Sequence, residues 1–287
     1  MKILQDLHIH SHHSCDSAAA TLPDIKSERD ALGLQHYAVT DHLHTRYNIS
    51  DIESCRHAFL GYNFPENYHF GIEVSCVGTR ECERVAAGDF IAKGDVPIYG
   101  FRDEPELFDG RISIDLTEDD IKKYGIEFVV AGIHWPLGNV STPKEAIDNY
   151  FMLEMYLATH PLVDIVAHPW DSISLAAGGW FQYRDKEHID WNVFKEIPQS
   201  YSDRLGEAIL KNGKLAEINM PCTLNVPDFV TLYMMNMYRT WKEMGVKFTI
   251  GSDQHSPHTD TELFSRMEKV LDEYGFTEED FKLPFQA

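Results

Sequence analysis

The stretch Lys2-Ile3-Leu4-Gln5-Asp6-Leu7-His8-Ile9-His10-Ser11-His12-His13-Ser14-Cys15-Asp16 sets histidines into a strand-like Ile/Leu pattern. Successive side chains of an extended strand point to opposite faces, so His8 and His10 project together while Ile9 turns away. Two imidazoles on one face are a pair of metal-ligating arms, and Asp16, in the Ser-rich turn that follows, can fold back as an oxygen donor. A solvated His-rich terminus or a tag remnant would be a contiguous run outside the fold. Alternation within an apolar pattern favours the ligand reading.

Further along, the same arrangement recurs. His36–His42 is a short β-rich run that turns polar at its end, and Tyr68–Val74 repeats it with Glu73. Ile126–His134 is an apolar run suited to a strand buried on both faces, again closing on a histidine, and Val163–His168 ends the same way before Pro169. Lys214–Asn219 and Lys247–His255 are the last strand-like segments. Helices fall between them: from Leu22-Pro23-Asp24 to Gly33, from Thr142-Pro143 to a point before Pro161, around Arg204–Asn212 with Gly213 as cap, after Pro227, and over Glu262–Tyr274. Glu118–Asp120 and Thr277–Asp280 read as helix-start charge. Residues 77–123, with several glycines and weak periodicity, are expected to be an insertion holding a small hairpin, and 171–200, with Gly178-Gly179-Trp180-Phe181, a loop or lid.

The expected count is seven strands alternating with helices, and their ends supply His8, His10, Asp16, His42, Glu73, His134, His168, Asp253 and His255. In a parallel α/β barrel all C-terminal strand ends meet at one face, so this repetition implies one polynuclear metal site. Any one of these histidines alone is more often a satisfied or surface residue; the recurrence carries the inference.

Composition narrows the partners. The 25 Lys+Arg against 46 Asp+Glu give a formal charge of −21, which disfavours free nucleic acid and anionic membrane as partners. The five cysteines have no metal-type or disulfide spacing, no stretch approaches a membrane span, and no secretory leader is visible, so a cytoplasmic protein is expected. With 43% apolar residues, the whole of 1–287 is read as a single domain. No pattern speaks to oligomeric state.

In order, His8-x-His10, Thr40-Asp41-His42, Gly71-Ile72-Glu73, Ala131-Gly132-Ile133-His134, Ala167-His168-Pro169 and Gly251-Ser252-Asp253-x-His255 resemble the motifs of the PHP family, named for polymerase and histidinol phosphatase. The resemblance spans residues 6–255. It implies a distorted seven-stranded (β/α) barrel of TIM-like type, with the active site at the C-terminal strand ends and a trinuclear centre of zinc, manganese or iron. Carried over by position, one metal falls to His8, His10, Glu73 and Asp253, a second to Glu73, His134 and His168, and a third to Asp16, His42 and His255, with Glu73 bridging the first two. Asp16 departs from the relatives of histidinol-phosphatase type, which usually carry histidine there, while other branches carry aspartate.

The activity this implies is hydrolysis of a small anionic phosphomonoester by metal-activated hydroxide, with Glu73 and Asp253 indispensable. Three dications outweigh three carboxylate ligands by about three charges, enough to hold a phosphate dianion despite the acidic surface. His12, His13 and His44 are candidate proton donors to the leaving group, each equally readable as a supporting or solvent-facing residue, and Arg184 is a candidate phosphate anchor; Asp41 reads as support for the ligands, and Trp135, Trp170 and Trp180 as pocket walls or packing. Two alternatives stand beside this: a phosphodiesterase, nuclease or other metal-dependent hydrolase on the same scaffold, and a non-catalytic metal-binding scaffold. Against the last, no ligand position is lost.

Overall fold

The computed structural model describes residues 1–16, 18–89, 108–179 and 189–285. Among them the strands are β1 (Gln5–Asp6), β2 (His36–Val39), β3 (His42–Leu43), β4 (Tyr68–Phe70), β5 (Ile72–Ser75), β6 (Val77–Gly78), β7 (Ile112–Ser113), β8 (Val129–Gly132), β9 (Ile165–Val166), β10 (Leu215–Asn219) and β11 (Lys247–Gly251). The architecture is α/β with parallel sheets. A six-stranded sheet runs β11-β10-β9-β8-β5-β3 and a three-stranded one β1-β2-β4, parallel throughout; β6 and β7 form a separate antiparallel pair.

Two of the sequence segments expected as single strands are each broken in two. Between β2 and β3 the backbone of Thr40 turns to Ile9, donating its N–H to that carbonyl at 2.8 Å, and Asp41 takes up Ser11, whose N–H and Oγ donate to the carboxylate at 2.6 and 2.7 Å. Between β4 and β5 sits Gly71, where a Cβ would lie 2.8 Å from the Phe128 ring. Beyond β1 and β11 the chain continues as a pair: Leu7 N–H donates to Ile250 O at 2.9 Å, Asp253 N–H to His8 O at 2.7 Å and His10 N–H to Gln254 O at 3.0 Å.

Helices α1 (Leu22–Leu32), α2 (Ile49–Tyr62), α3 (Thr79–Ala86), α4 (Glu118–Tyr124), α5 (Pro143–Thr159), α6 (Ile173–Ala177), α7 (Gln199–Lys211), α8 (Met220–Leu224), α9 (Asp228–Met244) and α10 (Thr261–Glu273) fill the connections. Their ends follow the expected signals. Thr21 and Thr142 cap α1 and α5 with Pro inside the first turn, and Gly33 closes α1 at φ 72°. Thr117 and Asp120 form a capping box on α4, which accounts for the acidic run there. α7 begins earlier than the apolar periodicity suggests, because Pro198 sets its start. Within 77–123, β6 and β7 pair antiparallel across an intervening stretch that includes α3, and α4 follows them, while 90–107 lies outside the described residues.

Strand alternation sorts the core into two parts. Tyr37 and Val39, Val129 and Ala131, and Ala216 and Ile218 belong to the larger cluster shared with the helices. Their alternates Ala38, Phe128, Val130 and Leu215 join Leu7, Ile165, Ala167 and Leu283 in a smaller one. Following that second face toward the C-terminal strand ends, Val130 gives way to Gly132, and Leu215 to Glu217 and Asn219. Polar chemistry therefore begins where this smaller apolar cluster stops.

Candidate metal centre

Glu73 stands at the middle of the polar cluster, fully buried on β5. Its Oε1 lies 3.0 Å from both His134 Nε2 and His168 Nε2. Its Oε2 lies 3.1 Å from His8 Nε2, 3.4 Å from His10 Nε2 and 2.9 Å from His42 Nδ1. Five imidazoles from four strand segments, His8 and His10 sharing one, thus address one carboxylate. Asp253 Oδ1 is 3.1 Å from His10 Nε2 and 3.6 Å from His8 Nε2, and Asp16 Oδ2 is 3.1 Å from His42 Nε2 and also pairs with His255 Nε2. All nine residues expected from the sequence are brought together.

Their donor atoms converge in four overlapping groups: His8, His10 and Glu73; His8, His168 and Asp253; His42, Glu73 and His134; and His10, Asp16, His42 and His255, each within 4.8 Å. Backbone strain accompanies the site. His168 has φ 25° and Asp253 φ 51°, a region that side-chain-bearing residues avoid, and Trp170 and Ser172 follow His168 in the same sense. Space is cleared for the rings as well, since a Cβ on Gly132 would lie 2.5 Å from His168 Cε1 and 3.0 Å from Glu73 Oε1.

The electrostatics are those of charged groups forced out of water. Desolvation, the largest influence at His8, is overcome by the carboxylates of Glu217, Glu73 and Asp253, so the imidazole is raised. His42 and His168 are likewise pushed up to about 10 against burial by their carboxylate partners. At His10 burial prevails with the neighbouring His42, lowering it to about 3. Glu73 and Asp253 are held below the ordinary carboxylate range by the histidines around them, despite burial, and Asp16 is lowered by its bonds to His255 and His42.

The donor set fits cations. His10 Nδ1, His42 Nδ1, His168 Nδ1, Asp16 Oδ1 and Glu73 Oε2 are buried with no hydrogen-bond partner among the described residues, although His42 Nδ1 and Glu73 Oε2 are only 2.9 Å apart. Imidazole and carboxylate donors at such spacing suit a divalent cation that takes nitrogen and oxygen ligands rather than a soft, thiolate-preferring ion.

The other residues singled out in the sequence stand around this cluster. His12 is exposed with its ring 4.1 Å from that of His13, and His13 Nδ1 meets Ser54 Oγ at 3.0 Å. His44 is buried, its Nδ1 2.5 Å from Ser75 Oγ, which is in turn 2.7 Å from His134 Nδ1. Trp135 packs edge-on to His44 and Trp170 is fully buried. Arg184 and Trp180 lie outside the described residues.

Three supporting residues escaped the sequence reading. Glu217 contacts His8 and His168, Asn219 Nδ2 donates to Asp253 Oδ2 at 3.2 Å, and Ser75 bridges two histidines. The available signal was parity: Glu217 and Asn219 share a strand face with Leu215, so both point inward from an otherwise apolar run.

No family model matches the chain. A curated protein of Acetivibrio thermocellus described as a probable phosphatase is 24% identical over 278 residues, covering 95% of this chain and 88% of that one. The histidinol phosphate phosphatase of Lactococcus lactis, solved with zinc, L-histidinol and phosphate, superposes with TM-score 0.61 at 17% identity, over 96% of this chain and 95% of its own. A Listeria monocytogenes protein named as a candidate histidinol phosphatase gives TM-score 0.53 at 13% identity, over 91% and 99% of the two chains. The fold is shared with these two structures.

Proposed function

We propose that this chain is a metal-dependent phosphatase of the polymerase and histidinol phosphatase type, hydrolysing a small phosphomonoester at a three-metal centre. The observation that carries the reading is the position of Glu73 among five imidazoles, with Asp253 and Asp16 closing either side. The phosphatase relative and the two structural neighbours support the reaction class. The parallel pairings, together with the bonds joining Leu7 to Ile250 and His10 to Gln254, support reading the strands as a distorted seven-membered barrel, with β2 and β3, and β4 and β5, counted as one strand each.

In this reading His8, His10, Glu73 and Asp253 hold one cation, Glu73, His134 and His168 a second, and Asp16, His42 and His255 a third, with His10 close enough to serve the last as well. Bound cations supply an activated water and counter-charge for the phosphoryl oxygens. Glu73 keeps the first two subsites a single carboxylate apart. Asp16 reaches its subsite from a turn, not a strand, which makes the third position the most separable. His12 and His13, beside that turn, are the candidate donors to the leaving alkoxide, and Arg184 is the candidate phosphate anchor. Among the described residues no helix is long and apolar enough to cross a membrane.

A terminal phosphate has three free oxygens to meet three cations, whereas a diester has two and a second arm to accommodate. A small phosphomonoester is therefore expected to exceed a matched diester or single-stranded DNA in kcat/KM by at least about tenfold, roughly 1.4 kcal/mol of transition-state stabilisation, with zinc, manganese or iron supplied. Faster turnover of the diester or oligonucleotide would replace this reading with a phosphodiesterase or nuclease.

A further inference from the structure

Glu217 belongs to none of the groups whose donor atoms converge on a cation position, yet it grips two of their members. On β10, only 1% exposed, it sets Oε1 2.7 Å from His8 Nδ1 and accepts the backbone N–H of His168 on Oε2 at 2.7 Å. Among the described residues His8 is its only ion-pair partner. A buried carboxylate with no Lys or Arg is costly to keep, and this one has been given room: a Cβ on Gly251 would lie 1.9 Å from Glu217 Oε1 and 2.6 Å from His8 Cβ.

The hydrogen-bond inventory dictates what Glu217 does there. An ionised carboxylate only accepts, so the His8 Nδ1 that faces it carries a hydrogen and donates, leaving the His8 Nε2 lone pair aimed at Glu73, His10 and Asp253. The second oxygen meanwhile holds the N–H of a residue at φ 25°, a conformation that needs an external tether.

We propose that Glu217 is a positioning residue of the metal centre: one carboxylate fixes the tautomer and direction of His8 and the backbone of His168, and so sets the spacing of two ligands from different strands, without itself binding a cation. The proposal rests on the metal-centre reading above.

Glu217→Gln is isosteric, but its single amide oxygen can serve His8 or His168 and not both. In Zn²⁺ competition against a chelating dye, E217Q should bind at least one equivalent about 10- to 100-fold more weakly than the parent chain. Its Co²⁺ absorption bands should shift, while the far-UV circular dichroism of the metal-free protein stays at the parental spectrum and its melting temperature falls by no more than the few degrees that one lost buried hydrogen bond costs. Glu217→Asp, which keeps the charge and both acceptor oxygens on a shorter stem, should retain more Zn²⁺ affinity than E217Q. Parental affinity and an unshifted Co²⁺ spectrum in E217Q overturn the proposal and leave the metal centre standing. So does a loss matched by collapse of the metal-free fold, or an Asp variant no better than Gln. A parent chain that takes up no Zn²⁺ overturns both.

Discussion

The Nε2 atoms of His8 and His10 lie 3.1 Å apart, both side chains almost fully buried. Two unprotonated nitrogens at that distance aim lone pairs at each other, so positive charge has to sit between or beside them, as a proton in the empty site or as a cation in the filled one. Protein purified without chelator is expected to carry more than one transition metal per chain by elemental analysis. Restoring metal to the stripped protein at about a hundred times its dissociation constant should add about 2.7 kcal/mol of stability, roughly 5 °C in Tm. An unchanged melting curve would mark the cluster as vestigial.

Among the described residues Glu73 meets five histidines and Asp253 meets His8, His10 and His255, whereas Asp16 meets only His42 and His255. Glu73→Ala and Asp253→Ala should each lower kcat/KM for a phosphomonoester by about a thousandfold or more, with Asp16→Ala at least about tenfold milder. The ranking is checked by steady-state kinetics beside metal analysis of each variant. Equal losses in all three would contradict it.

At Gly132 the missing Cβ is replaced by the edge of the His168 ring. Gly132→Ala should displace that ring from Glu73, lowering phosphatase activity by about tenfold or more. The φ at Gly132 is not in the left-handed region, so the effect should come from the clash and not from backbone strain. Activity at the parental level would mean that the ring can slide without leaving its partner.

Glu154 on α5 is buried, accepts the Trp170 N–H at 2.9 Å on one oxygen, and is raised to about 7 chiefly by desolvation. A carboxyl whose folded pKa exceeds its unfolded one costs nothing below the unfolded value near 4.3 and destabilises increasingly as pH rises toward the folded value. Glu154→Gln should therefore gain on the parent chain between pH 5 and 8, by about 2–3 kcal/mol at most, in urea unfolding followed across that range. A difference independent of pH would mean the carboxyl is charged throughout.

Strand ends and their ligands were legible because period-two alternation and a polar terminus recur in each segment, and because helix caps such as Thr21, Thr142 and Gly33 carry local signals. Glu217 was not, since strand parity turns it inward but its partners His8 and His168, which give it a role, are 209 and 49 residues away. The breaks at Thr40–Asp41 and Gly71 were hidden for the same reason: each lies against a residue distant in sequence, Ser11 or Phe128. Helices α3 and α4 are too short for periodicity to register, so only the acidic start of α4 showed.

The smaller apolar cluster has a kinetic meaning. Val130 and Leu215 lie directly below Gly132 and Glu217 on the same strand faces, and Leu283 and Phe285 of the C-terminal segment pack beneath them. That stack is an apolar floor, and on the proposed reading traffic to the histidines uses the opposite side. On the proposed reading, substrate arrives and both products depart through one doorway. The phosphate, seated deepest against the Glu73 cluster, is then last out, so inorganic phosphate should act as a competitive inhibitor while the alcohol leaves without hindrance.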